Sequence, residues 1–219
     1  MTISTGSKKL DSFFGGFQDS MITMIYGKNA SGKSTLCLMA AAELSKNNKK
    51  IIYIDTEKEF SLERLKQIIG SDYVKYLDNL LVFNPKNFKE LDKQIKNLER
   101  VMEGRGISLV ILDNISNFYK LELRKKEGKE VNSILANQLT ILKDLAKRHK
   151  IPVLITSQVY DDFEVKDKIN MVGKFMQKFS RCLIEMNREY KKRRLILKKH
   201  PDYDEKYVFF EINDKGFIL

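Results

Sequence analysis

The stretch that decides the fold is Gly27-Lys28-Asn29-Ala30-Ser31-Gly32-Lys33-Ser34, which follows the apolar run Met21–Tyr26 and opens a segment of helical period. It matches the pattern G-x-x-x-x-G-K-[ST], and a strand before it and a helix after it are the context that this pattern requires. The glycines let the backbone curl so that N–H groups point at phosphate oxygens, and the helix adds the positive end of its dipole. The predicted nucleotide-binding residues are Gly27, Lys28, Asn29, Ala30, Ser31, Gly32, Lys33, Ser34 and Thr35.

Two side chains in this loop have defined chemistry. Lys33 is placed to reach the β- and γ-phosphates of ATP, and the hydroxyl of Ser34 is placed to ligate Mg²⁺. The alternative is a chance run of glycine, lysine and serine, which arises in on the order of 1% of chains of this length. We therefore expect ATP and Mg²⁺ as cofactors.

Outward from the loop, short apolar runs rich in β-branched residues alternate with longer stretches of helical period. This alternation is typical of a parallel sheet with helices on both faces. One helix should run from Lys33 to about Ser45, a second should begin after Asn87 as its N-cap, and a third should span Val131 to His149. The predicted parallel strands are Met21–Tyr26, Ile51–Asp55, Leu80–Phe83, Ile107–Asp113 and Ile151–Ser157.

After Ser180 the pattern changes to short strands joined by short polar turns, which predicts an antiparallel extension at the edge of the sheet. No repeat, linker or low-complexity tract interrupts the chain, so residues 1–219 are predicted to form one α/β domain with a P-loop core. The predicted strands of the extension are Arg181–Met186, Arg193–Lys198, Lys206–Ile212 and Gly216–Leu219.

Acidic and amide side chains follow three of the predicted strands. Asp113 ends the strand Ile107–Asp113, where a carboxylate beside the P-loop can hold the hydration shell of Mg²⁺. The alternative for Asp113 is a cap on the helix that starts near Asn114. Glu57 could orient or deprotonate the attacking water, and Gln158 could contact the γ-phosphate. On composition alone, a solvated Glu57 is an open alternative.

Taken in order, the P-loop, Tyr53-Ile54-Asp55-Thr56-Glu57, the strand ending at Asp113, and Ile155-Thr156-Ser157-Gln158-Val159 resemble the archaeal and eukaryotic recombinases of the RecA superfamily. The resemblance covers nearly the whole chain. It implies Lys33 and Ser34 on phosphate and Mg²⁺, Asp113 as the Walker B acid, Glu57 as the catalytic glutamate and Gln158 as the nucleotide sensor. It also implies that Arg64 lies near the adenine.

Three departures point to the short archaeal paralogues of the strand-exchange enzymes. The chain has no room for the N-terminal helix-hairpin-helix domain or the linker phenylalanine of those enzymes, and residues 161–167, at their second DNA loop, are acidic. Lys58 replaces the usual glycine after the catalytic glutamate. The resemblance thus implies ATP and DNA binding, little or no ATPase, and a supporting role in recombinational repair. It also implies contact with the main recombinase and with a junction-cutting nuclease.

The formal net charge of +11 suits a polyanionic partner, although a solvated lysine-rich surface is the alternative. Two basic clusters could contact DNA phosphates without reading sequence. Tyr119, near the first cluster, could stack on a base. The first cluster is Arg124, Lys125 and Lys126. The second is Lys191, Lys192, Arg193, Arg194, Lys198, Lys199 and His200, of which several should share one face, and its end resembles a Lys-His-Arg stretch of the short paralogues.

Two other functions remain open: a DNA-stimulated ATPase or strand exchanger, and a P-loop kinase of small metabolites. A kinase of that kind usually carries an arginine-rich lid, and it would leave Gln158 without a purpose. No apolar run approaches the ~18 residues of a membrane span, and the N-terminus lacks the order of a signal peptide. We therefore predict a cytoplasmic protein without membrane partners.

Overall fold

A large twisted sheet with helices on both faces dominates the computed structural model, which describes residues 2–158, 178–189 and 192–219. The strands are β1 Thr2–Ile3, β2 Phe17–Gln18, β3 Ile22–Gly27, β4 Lys50–Asp55, β5 Leu80–Phe83, β6 Ile107–Asp113, β7 Val153–Gln158, β8 Cys182–Glu189, β9 Lys192–Lys199, β10 Lys206–Asn213 and β11 Gly216–Ile218. The helices are α1 Lys8–Phe14, α2 Lys33–Lys46, α3 Leu62–Ile69, α4 Phe88–Met102, α5 Ser116–Leu123 and α6 Gly128–His149, with a 3-10 helix at Ser71–Asn79.

The strand order in the main sheet is β11-β10-β9-β8-β3-β7-β6-β4-β5, and β1 pairs with β2 alone. The pairs from β8 to β5 are parallel, whereas β9, β10 and β11 run antiparallel to their neighbours. This arrangement confirms the predicted mainly parallel α/β sheet with a C-terminal antiparallel extension. Strand β8 differs from the prediction in one detail, since it pairs antiparallel to β9 as expected but parallel to β3 on its other side.

The sheet is covered by two separate hydrophobic layers. Helices α4, α5 and α6 pack on one face, and helices α1, α2 and α3 pack on the other. Alternate residues of β6 serve the two layers, since Val110 and Leu112 join the first and Leu109 and Ile111 join the second. Both faces of the central strands are therefore buried, which explains their near-continuously apolar sequence.

The parallel register brings the carboxyl ends of the central strands together at one edge. Gly27 at the end of β3 is the register partner of Gln158, and Asp55 at the end of β4 is the partner of Asp113. Side chains far apart in the chain thus meet at that edge.

Helix α4 begins as predicted, because the side chain of Asn87 accepts a hydrogen bond from the N–H of Glu90 at 2.9 Å. Among the described residues, no helix is long and apolar enough to cross a membrane.

Candidate nucleotide site and nucleic-acid interface

The predicted P-loop lies between β3 and α2, and its backbone explains the two glycines. Gly27 has φ 152°, and a Cβ there would lie 1.9 Å from the carbonyl oxygen of Met186 on β8. Gly32 has φ 107° and precedes the first turn of α2. Because glycine carries no side chain, it cannot cap the N–H groups of Lys33, Ser34 and Thr35. Those groups and the helix dipole form the kind of site that binds an anion.

Lys33 is folded back over the loop and is only 7% exposed. Its ammonium donates hydrogen bonds to the carbonyl oxygens of Gly27 at 3.0 Å and Lys28 at 2.8 Å. Burial lowers the pKa of Lys33, and the charges of Asp113 and Glu57 oppose that shift. The lysine therefore lies within electrostatic reach of both carboxylates, and its contact with phosphate stays a prediction.

Asp113 is buried at the end of β6 between two hydroxyl groups. Tyr53 donates a hydrogen bond to one of its oxygens at 2.6 Å, and Thr156 donates to the other. The capping role belongs instead to Asn114, whose side-chain oxygen accepts hydrogen bonds from the Asn117 N–H at 2.8 Å and from the Ser116 hydroxyl. Asp113 therefore does not cap this helix, and its metal role stays a prediction.

Glu57 and Gln158 meet at this edge although 101 positions separate them. The amide of Gln158 lies 3.3 Å and 3.4 Å from the two carboxylate oxygens of Glu57, and the amide of Asn114 donates to Glu57 at 2.7 Å. Burial is the main reason that the pKa of Glu57 is raised, with help from the charges of Glu59 and Asp113. A half-buried carboxylate of this kind suits a general base and does not fit the alternative of a freely solvated loop glutamate.

The turn that carries Glu57 is held by Asp55. Its carboxylate accepts hydrogen bonds from the N–H groups of Glu57 at 3.0 Å and Phe60 at 2.8 Å. Lys58, between them, has φ 59°, a left-handed conformation that costs an L-residue roughly 1–2 kcal/mol. This explains in physical terms why a glycine suits the position, and it shows that this chain keeps the turn without one.

Arg64 joins α3 to the turn between β10 and β11. Its guanidinium donates to the carbonyl oxygens of Asn213 at 2.6 Å and Asp214 at 3.2 Å. The following strand lies beside the P-loop, because a Cβ on Gly32 would meet Phe217 at 3.3 Å. Arg64 is thus on the α2 side of the sheet, and its contact with adenine stays a prediction.

The first basic cluster lies at the end of α5 and in the turn before α6. Arg124 and Lys125 are exposed, but Lys126 sits between Glu122 at 3.3 Å and Glu130 at 3.2 Å. The expectation that Tyr119 stacks on a base is wrong, because the ring is 1% exposed and its hydroxyl bonds to Asn132. Its aromatic side chain belongs to the hydrophobic layer under α5. DNA contact by this cluster stays a prediction.

Part of the second basic cluster shares one face, because alternate residues of a strand point to the same side and neighbouring residues to opposite sides. Lys192 and Arg194 face away from α2, and they lie over the rings of Phe209 and Tyr207. Arg193 faces the P-loop, where its Nε lies 3.5 Å from the carbonyl oxygen of Ala30. Lys191 falls outside the described residues, as does the acidic segment 161–167.

The remaining members of this cluster have partners of their own. Lys198 pairs with Glu205 at 2.5 Å, and Lys199 donates to the carbonyl oxygen of Ser180 at 3.0 Å. His200 packs against the rings of Phe14 and Tyr203, and burial lowers its pKa. A histidine with a lowered pKa is neutral near pH 7, so His200 adds no charge to the cluster there.

The residues at the P-loop fit ATP and Mg²⁺. An uncapped helix N-terminus and a lysine bonded to loop carbonyls are ready to accept phosphate. Ser34 is exposed at the start of α2, and the carboxylate of Asp113 lies within electrostatic reach of Lys33, the residue before Ser34. Sequence reasoning did not single out Asn114 or the hydroxyl of Tyr53. Only the folded register brings Asn114 to Glu57 and Tyr53 to Asp113.

This fold and this strand-end constellation define a RecA-like core, and comparison with known proteins agrees. A family model described as Rad51 matches residues 1–218, so the chain belongs to the Rad51 family. Curated relatives are named DNA repair and recombination protein RadB. The protein from Methanoculleus marisnigri is 36% identical over 98% of this chain and 96% of its own. The protein from Methanobrevibacter smithii is 33% identical, and the match covers 93% of this chain and 90% of that protein.

A solved structure is similar over the same extent. The crystal structure of the RadB recombinase superposes with a TM-score of 0.80 at 28% identity, and the match covers 99% of this chain and 98% of that one. The resemblance to short archaeal paralogues that the sequence predicts is therefore confirmed. It is to the RadB members of the Rad51 family that this chain is similar.

Proposed function

We propose that this chain is an ATP-binding and DNA-binding accessory protein of homologous recombination and DNA repair, with little or no ATPase and no strand exchange of its own. The observation that carries the proposal is the buried Lys33 ammonium on the P-loop, within the electrostatic reach of Asp113 and Glu57. The names of the RadB relatives, which describe DNA repair and recombination, support the biological setting. A cytoplasmic location stays a prediction.

ATP would be held by the N-terminal amides of α2 and by Lys33. The ammonium now donates to two loop carbonyls, so phosphate oxygens can replace those acceptors without leaving it unpaired. Ser34 and Asp113 would hold Mg²⁺, which supplies neutralisation of phosphate charge. Tyr53 and Thr156 fix the Asp113 carboxylate in place.

For Glu57, we propose that it supports only weak hydrolysis of ATP. Two amide groups, from Asn114 and Gln158, already hydrogen-bond to its carboxylate, so an attacking water must compete with them for its oxygens. Lys58 in the left-handed region restricts the turn further. The nucleotide would then act mainly as a bound ligand that stabilises the folded core.

A second candidate is a DNA-stimulated ATPase, and one observation favours it. The pKa of Glu57 is raised, as suits a general base, and its hydrogen-bond partner Gln158 is placed to contact a γ-phosphate. DNA binding that drew Gln158 away from Glu57 would release the base. The kinase alternative has no comparable support, since the family match is to Rad51 and the curated relatives are named DNA repair and recombination proteins.

DNA is proposed to bind through backbone contacts with the exposed cations of β9 and of residues 124–126. The net charge of +11 and the position of Lys192 and Arg194 on an exposed strand face support this contact. Contacts with the main recombinase and a junction nuclease are proposed from the resemblance alone. They would need surfaces that the charge pattern does not identify.

Phosphate release with and without single-stranded DNA tests the proposal. We expect slow release that DNA changes little, with measurable binding of both ATP and DNA. Strong stimulation by DNA would support the second candidate instead. Transfer of the γ-phosphate to small acceptors would support the kinase, and failure to bind ATP or DNA would overturn the proposal.

A further inference from the structure

Two aromatic side chains stand on the outer face of the antiparallel extension. Tyr207 and Phe209 on β10 are 59% and 52% exposed, although a strand with a hydrophobic layer beneath it buries most large apolar groups. Their ring centroids are 5.6 Å apart and the rings are nearly perpendicular, at 79°. We call Tyr207 and Phe209 the aromatic pair.

Cations from the neighbouring strand flank the aromatic pair. Lys192 lies over the ring of Phe209, with its Nζ 5.9 Å from the centroid, and Arg194 lies 5.8 Å from the centroid of Tyr207. The register fixes this arrangement, because Arg194 is directly opposite Phe209. Cations that rest on exposed rings keep their charge at the surface beside an apolar platform.

Carboxylates share this face with the two cations. Glu205 pairs with Lys198, and Glu185 accepts hydrogen bonds from Tyr26 and Asn187 and is half-buried. Glu211 is exposed two residues beyond Phe209, and Glu189 is the register partner of Lys192. The feature that singles out this surface is therefore the placing of Lys192 and Arg194 over the two exposed rings, and not a net positive charge.

We propose that the aromatic pair is a stacking platform for the bases of single-stranded nucleic acid, with Lys192 and Arg194 on the adjacent phosphates. Aromatic rings interleaved with cations bind single strands in this way, because every base offers a π-face and every linkage a charge. In a duplex the bases stack on one another, so the platform selects single strands. This inference rests on the proposed DNA-binding function and adds base stacking to it.

The first test needs only the unaltered protein and three labelled ligands of equal length: oligothymidylate, an abasic strand with the same phosphates, and a duplex. We expect oligothymidylate to bind roughly tenfold more tightly than the abasic strand, which is the lower range for stacking on an aromatic side chain. Equal affinity for the two strands overturns the inference but leaves backbone binding intact. Failure to bind any of the three overturns the proposed DNA function as well.

The second test replaces both rings, with the variant Tyr207→Leu/Phe209→Leu. Leucine keeps an apolar side chain at each strand position, and we expect the preference for oligothymidylate over the abasic strand to disappear. The matched control is Tyr73→Leu, at another aromatic ring with a lysine over it, since Lys66 lies 5.7 Å from its centroid. That variant should keep the full preference.

Two outcomes of the second test contradict the platform. A double variant that folds, by its melting temperature, and retains the base preference shows that the rings do not stack on bases. Polyglutamate that displaces oligothymidylate at equal charge concentration from the unaltered protein, but not from the double variant, shows that the rings recognise an acidic polypeptide instead.

Discussion

The carboxylate of Asp113 is held by the hydroxyls of Tyr53 and Thr156, so its position does not depend on a bound ion. We predict that Asp113→Asn lowers the affinity for ATP in Mg²⁺ to the value that the unaltered protein shows in EDTA. The amide keeps the shape of the side chain but removes the charge that attracts a hydrated Mg²⁺. Calorimetric titration with ATP in each buffer measures this change.

Asp72→Asn is the control for that substitution. It makes the same change of net charge in the 3-10 helix, where Asp72 is exposed and pairs with Lys75 at 3.0 Å. ATP affinity in Mg²⁺ should be unaltered in this variant. If Asp113→Asn kept the full dependence on Mg²⁺, Asp113 would not be a metal residue.

Lys58 and Lys150 allow a matched comparison, because both are lysines with positive φ, at 59° and 52°. Replacing either by glycine should raise the free energy of unfolding by about 1 kcal/mol, since glycine adopts this conformation without steric cost. Denaturant unfolding measures the gain. Only Lys58→Gly should also speed phosphate release, because it frees the turn that carries Glu57. Equal rates of phosphate release in the two variants would show that Lys58 does not limit catalysis.

At the scale of single residues, motif spacing predicts the loop, and strand ends predict Asp113, Glu57 and Gln158. Spacing cannot show which strands become neighbours, so the bonds of Tyr53 to Asp113 and of Asn114 to Glu57 appear only in the fold. Tyr119 shows the opposite failure. Its place near a basic cluster indicated an exposed ring, but the helix turns it into the hydrophobic layer.

At the scale of elements, β9 places two cations that are adjacent in the sequence, Arg193 and Arg194, on opposite faces of the sheet. Arg194→Gln should weaken binding of single-stranded DNA and leave ATP affinity unchanged, because its side chain faces away from the P-loop. Arg193→Gln should lower ATP affinity severalfold and affect DNA less, since it removes a charge beside the carbonyl of Ala30. Fluorescence anisotropy with labelled DNA and calorimetry with ATP measure both variants. Identical effects of the two substitutions would contradict the assignment of faces.

Hydrophobic period predicts most of the elements; β5 and β6 have the predicted bounds, and the ends of the other predicted elements differ by at most three residues. Strand β8 shows where such reasoning ends. Its alternating sequence suits either direction of pairing, and only the folded sheet shows that it pairs parallel to β3 and antiparallel to β9. The 3-10 helix at Ser71–Asn79 carries a mixed pattern without a buried residue, which leaves no period to recognise.

At the scale of the whole molecule, a net charge of +11 should give DNA binding that depends strongly on salt and little on sequence. For single strands, the logarithm of the affinity should fall with the logarithm of salt concentration by about 0.7 for each phosphate neutralised. Removing Lys192 and Arg194 together should therefore reduce that slope by about 1.4. Anisotropy titrations at several salt concentrations give the slope, and a slope near zero would rule out binding through backbone charge.

Nucleotide binding by the P-loop is the step on which the rest depends, and calorimetric titration of Mg·ATP into three proteins measures it. The unaltered chain and Lys46→Met, a control at the exposed end of α2, should bind with equal affinity. Lys33→Met should bind no ATP at the same concentrations and should keep its melting temperature, because the buried charge is unfavourable in the free protein. Undiminished binding by Lys33→Met would contradict the proposed site.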